Sequence, residues 1–141
     1  MTTMARKAPL KHAGGPILVV EDRAIDLDLT KRAFGRHRIT HPIQVARDGE
    51  EALDYLHRWE EGERPPLCIL LDLKLPKVSG MEVLRQLKSH PKFSAIPIIV
   101  LTASAEDRDI EEAYMLGCNS YIVKPIEFLS QEKYFFKMFV T

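Results

Sequence analysis

Five short apolar runs punctuate the chain, at residues 17–20, 43–46, 67–71, 98–101 and 121–123, and longer segments with helical spacing of apolar residues separate them. Such alternation predicts repeated βα units. The runs CILL and IIVL carry no polar alternation, so their strands are expected to be buried on both faces, as parallel strands beneath helices are. Helices are predicted near 24–37, 49–60, 80–90, 105–117 and 127–139. Ser79 with Glu82, and Ser104 with Asp107, each fit a hydroxyl cap followed three residues later by an acid, and Gly117 supplies a stop. In the fourth helix Ile110, Ala113, Tyr114 and Gly117 share one stripe, while Asp109, Glu111 and Glu112 fall elsewhere on the wheel. The polar stretch WEEGERPP, residues 59–66, closes the second helix. Together these elements predict one (βα)₅ unit over residues 16–141. The preceding MTTMARKAPLKHAGG, residues 1–15, has basic residues, a proline and a Gly-Gly pair without apolar periodicity, and reads as a flexible arm.

Composition narrows the function classes. At 141 residues the chain has the length of one domain, with no room for a second, output domain. Lysine plus arginine equals aspartate plus glutamate at 20 each, so no global field favours nucleic acid or an anionic membrane. No segment approaches a membrane span or signal sequence, Cys68 and Cys118 lie outside metal or redox spacing, and the histidines are scattered. The expectation is a cytoplasmic protein with reduced thiols and no histidine-based metal site.

The candidate chemistry sits where strands end. Glu21 and Asp22 follow PILVV, and Asp72 follows CILL. Ligands of open α/β sheets collect at the carboxyl ends of strands near the point where strand order reverses, so neighbouring first and third strands would bring the three carboxylates together. Crowded like charges raise one another's pKa or demand a cation, and Mg²⁺ takes carboxylate oxygens together with a phosphate. Thr102 follows IIVL and Lys124 follows Tyr-Ile-Val, ahead of Pro125. A threonine hydroxyl and a lysine ammonium both address phosphate oxygens, which points to an aspartyl-phosphate formed on Asp72. Taken singly, each residue has a plainer use: Asp22 as a helix cap, Asp72 as a turn cap before Pro76, Thr102 as the cap of the fourth helix, Lys124 as a solvated strand end. Their joint occurrence at four strand ends favours the phosphoryl site.

The ordered set Glu21-Asp22, Asp72-x-x-Leu75-Pro76 with Gly80, Thr102-Ala103 and Lys124-Pro125 resembles the receiver domain of two-component response regulators, over about residues 16–139. The resemblance implies a flavodoxin-like fold with strand order 2-1-3-4-5 and helices on both faces. It implies Asp72 as phosphoacceptor, Glu21, Asp22, Asp72 and the Lys74 backbone carbonyl as Mg²⁺ ligands, Thr102 and Lys124 as phosphoryl partners, and a cis Lys124–Pro125 bond. A protein of this kind catalyses only its own phosphorylation and dephosphorylation. Glu-Asp in place of Asp-Asp, ARDGEEALDYL, and the extended second helix are similar to the single-domain receivers that serve bacterial phytochromes and related sensor histidine kinases. Partners implied are such a kinase and a phosphotransfer protein.

Lys74 departs from the family, which often has a polar uncharged residue or methionine there. Its charge would oppose Mg²⁺ and favour a phosphoryl group, so Lys74, with Ser104, is a candidate for tuning phosphate lifetime. Tyr121, on the opposite side of the last strand from Lys124, is the aromatic expected to repack when Thr102 moves toward a phosphate. The final IEFLSQEKYFFKMFVT carries more large apolar residues than one core-facing stripe accommodates, so a homodimer through the fifth helix is expected. The contrasting reading is a degenerate receiver used as an unphosphorylated scaffold. A flavin carrier would want a Ser/Thr/Gly-rich loop after the first strand, and an aspartate-nucleophile phosphatase a nucleophile on it; neither pattern is present.

Overall fold

In the computed structural model the described residues are 15–125. The expected arm, apart from Gly15, and the expected fifth helix lie outside them. Five strands, β1 (Ile17–Val20), β2 (Ile43–Ala46), β3 (Cys68–Leu71), β4 (Ile98–Thr102) and β5 (Ser120–Val123), alternate with four helices. The helices are α1 (Ala24–Arg36), α2 (Gly49–Glu60), α3 (Gly80–Lys88) and α4 (Asp107–Leu116). All strand pairs are parallel and the sheet order is β2-β1-β3-β4-β5, the flavodoxin-like arrangement.

Side-chain alternation along the strands divides the interior in two. Leu18, Val20, Ile69, Leu71, Ile98 and Val100 face one side, where they pack with Ala52, Leu56 and Trp59 of α2, Val83, Leu84 and Leu87 of α3, and Ala113 of α4. Ile17, Val19, Cys68, Leu70, Ile99, Leu101 and Ile122 face the other, under Leu27, Ala33 and Phe34 of α1. Every residue of β1, β3 and β4 is buried, as expected for strands covered on both faces, whereas the edge strands β2 and β5 are mostly half-buried.

Helix ends follow the caps in most places. Asp48 accepts a hydrogen bond from Glu51 N at the start of α2, and Ser79 accepts one from Glu82 N at the start of α3. Gly117 ends α4 at φ +106°, a left-handed conformation that glycine adopts without a Cβ clash. The expected Ser104 cap is a correction. α4 starts at Asp107 with Glu106 as N-cap and no side-chain cap bond, because the Ser104 hydroxyl is directed to Asp109 Oδ2. The stripe expected on α4 is also thinner than anticipated: Ala113 is buried, but Tyr114 is exposed. α3 stops at Lys88, and the Lys88 ammonium donates to the Ser94 and Ile96 carbonyls of the following loop.

Two glycines let the loops at the carboxyl end of the sheet close on one another. A Cβ on Gly49 would overlap the Val78 carbonyl, and Gly49 N donates to Pro76 O at 3.3 Å. A Cβ on Gly80 would overlap the Asp72 carbonyl oxygen and crowd Leu73 Cα. Both contacts lock the loop after β3 in place. Gly80→Ala is expected to reduce the unfolding free energy by about 3 kcal/mol or more, since backbone has to shift. The measurement is a urea melt, with the midpoint falling at unchanged slope.

Candidate functional site

Strand register builds the site. Val20 pairs with Leu71, and Asp72 N donates to Val20 O at 3.1 Å, so the residues following β1 and β3 emerge side by side. Glu21, Asp22 and Asp72 then offer carboxylate oxygens within 4.8 Å of one another. On the other flank Thr102 pairs with Val123, and Lys124 N donates to Thr102 O at 2.8 Å, which sets the lysine beside the threonine.

The Asp72 carboxylate is fully engaged although it is buried. Its Oδ1 accepts from the Thr102 hydroxyl at 2.8 Å and from Lys74 N at 3.1 Å, and its Oδ2 accepts from Lys124 Nζ at 2.9 Å. Lys124 Nζ also donates to Glu21 Oε1 at 2.7 Å and Asp26 Oδ2 at 2.9 Å. Three ammonium hydrogens thus meet three carboxylates. Burial alone would push the Lys124 ammonium toward deprotonation, but the hydrogen bonds it donates to Glu21, Asp72 and Asp26 outweigh it and hold the pKa above the usual lysine range. Burial lifts the Glu21 carboxyl above its ordinary value, with Lys124 pulling the other way.

The plainer uses of these residues are now decidable. Asp22 caps no helix: α1 has Arg23 at its N-cap and no side-chain cap bond. Thr102 lies inside β4, well before α4, and its hydroxyl is spent on Asp72. Lys124 is not a solvated strand end, its side chain being 13% exposed. Only Asp72 combines both uses, since its bond to Lys74 N also closes the turn after β3.

Glu21, Asp26 and Asp72 share the Lys124 ammonium, Asp22 adds a fourth carboxylate beside Glu21 and Asp72, and exposed Arg23 approaches Asp26 at 3.5 Å. Two carboxylates closer than 4.8 Å repel by at least roughly 3 kcal/mol at an effective dielectric constant of 20. An oxygen-rich, net negative and partly buried cluster is the donor chemistry of a hard divalent cation, and the residues present fit one.

The chain matches the family model for the response regulator receiver domain over residues 17–132. It belongs to that family. Receiver domains are signalling domains that bind divalent metal and partner histidine kinases. A methanogenesis regulator of Methanothrix harundinacea, "Probable methanogenesis regulatory protein FilR2", is 49% identical over 113 residues, 79% of this chain and 73% of that protein. Among solved structures, the bacteriophytochrome response regulator RtBRR is 44% identical with TM-score 0.77, covering 90% of this chain and 78% of that one. The Mn(2+)-bound form of response regulator Rcp1 is 35% identical with TM-score 0.75, covering 85% and 88%. Phosphorylated RcpA, a cyanobacterial phytochrome response regulator, is 35% identical with TM-score 0.74, covering 89% of each chain.

The other positions singled out from the sequence fall around this receiver site. Lys74 contributes its backbone N–H to Asp72 while its side chain is exposed. Ser104 is buried, and its carbonyl accepts from the Tyr121 hydroxyl at 2.9 Å. Tyr121 packs half-buried beside Tyr114, with ring centroids 6.5 Å apart. The Lys124–Pro125 bond is cis. Asp26 escaped the sequence reading: an acid in the first turn of a helix ordinarily complements the helix dipole, and nothing local marks it as a partner of Lys124.

Removing the ammonium exposes the role of charge. Lys124→Met is expected to cost about 3 kcal/mol at pH 7 without divalent cation, the order found on breaking a buried ion pair. Because burial raises the Glu21 carboxyl above its ordinary value, protonation relieves the repulsion there first, so the penalty shrinks as pH falls into the acid range. Millimolar Mg²⁺ restores most of the loss. Thermal melts of both proteins with EDTA and with Mg²⁺, across that pH range, provide the check.

Proposed function

We propose that this protein accepts a phosphoryl group on Asp72 from a sensor histidine kinase in a Mg²⁺-dependent reaction. The observation that carries the proposal is the Asp72 carboxylate held between Thr102, Lys124 and Lys74 N–H, next to Glu21 and Asp22. An Asp72 oxygen attacks phosphorus, the bond from phosphorus to the donor histidine nitrogen breaks, and the imidazole leaves with the electron pair. The product is an aspartyl phosphate. Lys124 and Thr102 meet the charge of the transferred phosphoryl oxygens. When held by Glu21, Asp22, Asp72 and the Lys74 carbonyl, Mg²⁺ supplies further positive charge there. The same residues serve the return reaction, hydrolysis of the aspartyl phosphate.

The signal then leaves as a changed surface, or as phosphoryl transfer to a phosphotransfer protein. Thr102 reports the phosphate and Tyr121 answers through the Ser104 carbonyl, which its hydroxyl already contacts. The names of RtBRR and RcpA support a phytochrome among the candidate kinases. Among the described residues no helix is long and apolar enough to cross a membrane.

Incubation with acetyl phosphate and Mg²⁺ is expected to add one phosphate-sized mass to the wild type and none to Asp72→Asn. No gain on the wild type would move the reading to an unphosphorylated scaffold. In the same assay Lys74→Asn is expected to change the decay rate of the phosphorylated protein severalfold, because the ammonium of Lys74 then no longer overlooks the phosphoryl group; an unchanged rate ends the case for Lys74, and Ser104→Ala is the parallel test for Ser104.

A homodimer completes the proposal. Its support is the sequence of residues 127–140, where Phe128, Leu129, Tyr134, Phe135, Phe136, Met138, Phe139 and Val140 exceed one core-facing stripe. Light scattering is expected to return twice the chain mass. A monomeric mass with and without acetyl phosphate would refute it.

A further inference from the structure

The Lys124 ammonium has three acceptors, and they differ in what phosphorylation asks of them. Asp72 is the group that reacts, and Glu21 belongs to the trio whose oxygens lie within 4.8 Å of one another. Both are diverted when a cation and a phosphoryl group arrive. Asp26 stands outside that trio, on the first turn of α1, with its Oδ2 2.9 Å from Lys124 Nζ. Its backbone is secured separately, since the Thr30 hydroxyl, itself buried, donates to Asp26 O at 3.0 Å. Arg23 approaches the same carboxylate at 3.5 Å from an exposed position, so its hold on Asp26 is the weaker one.

We infer that Asp26 is the positioning residue of Lys124: it keeps one ammonium hydrogen bond through the reaction and so aims the remaining two at Asp72 and the incoming phosphoryl oxygens. This rests on the function proposed above. The physical reason lies in the side chain. Lysine is a point charge on a flexible four-carbon stem, and an ammonium that loses two of three acceptors at once would sample other rotamers unless one contact persists. A fixed acceptor on a helix holds it in place. The contact also ties the end of β5 to the start of α1 across 98 residues of sequence.

The competing explanation is that Asp26 only stabilises α1, through the helix dipole and Arg23. Asp26→Asn and Asp26→Ala separate the two. Asparagine keeps a carbonyl acceptor at the same reach but loses the charge; alanine loses the acceptor and is the best helix former at this half-exposed position, so the fold survives. Two readouts are taken on Mg²⁺-loaded protein: the rate of phosphorylation by acetyl phosphate, and the ¹⁵N-resolved NMR signal of the Lys124 ammonium before any phosphodonor is added. The expected result is at least a fivefold slower reaction and a broadened or lost ammonium signal for Asp26→Ala, with Asp26→Asn within about twofold of wild type and its signal retained. Wild-type rate and a sharp signal in Asp26→Ala would overturn the inference, as would Asp26→Asn failing as badly as Asp26→Ala. A wild type that takes no phosphate would strike the proposed function instead, while the ammonium signal still decides the role of Asp26.

Discussion

The carboxyl end of the sheet depends on one ammonium group. Lys124 Nζ meets Glu21, Asp26 and Asp72 at 2.7 to 2.9 Å, and without it the ends of the first and third strands and the first turn of α1 would carry uncompensated, partly buried negative charge. The arrangement is not a source of great stability, because desolvating an ion cluster offsets most of its Coulomb gain. What it secures is geometry. A lysine engaged by three carboxylates has few alternative positions, and the Asp72 carboxylate is held in the orientation in which Thr102 and Lys74 N–H can address its other oxygen.

Such a cluster can exist only because the sheet delivers its members to the same level. β1 and β3 are neighbours in register, β4 extends to Thr102, and β5 ends beside it, so four loops open at one edge. The two apolar interiors make that register costly to change, since a one-residue slip would send Leu18, Val20, Ile69 and Leu71 to the wrong face. The loops need a second constraint, and close backbone contacts provide it. Gly80 lies against the Asp72 carbonyl and Gly49 against Val78, while Lys77, at φ +70°, reaches Asp48 at 3.5 Å. The loop after β3 is therefore clamped at its start beside Asp72 and again further along at Lys77 and Val78.

These constraints explain which features were legible in the sequence. Buried parallel strands lose polar alternation for a physical reason, so CILL and IIVL announced themselves, and strand-end residues inherit their position from those strands. Glu21, Asp22, Asp72, Thr102 and Lys124 could be found this way because each directly follows, or ends, an apolar run. Helix ends were read less well where a side chain had another partner within reach: Ser104 looks like a cap until its hydroxyl is seen to turn to Asp109. Tyr114 has the right spacing for a stripe, yet α4 buries little beyond Ala113. Asp26 was invisible for a different reason. Its partner lies 98 residues away, and no periodicity or cap rule refers to a contact of that kind.

The same topology explains how a change at Asp72 could travel. Thr102 is bonded to the Asp72 carboxylate, Ser104 lies two residues further along the same loop, and Ser104 presents its carbonyl to the Tyr121 hydroxyl. Only Ala103 separates the residue that senses the carboxylate from the residue that holds the tyrosine. Burial pushes the Tyr121 phenol up, so it stays a hydrogen-bond donor at neutral pH, and the Ser104 carbonyl is an acceptor it can lose or keep as the loop shifts. Tyr121 is half-buried beside exposed Tyr114, so displacement of the ring alters a surface. The short loop between β4 and α4 is thus a sufficient lever, because the sheet beneath it is too tightly packed to absorb the movement.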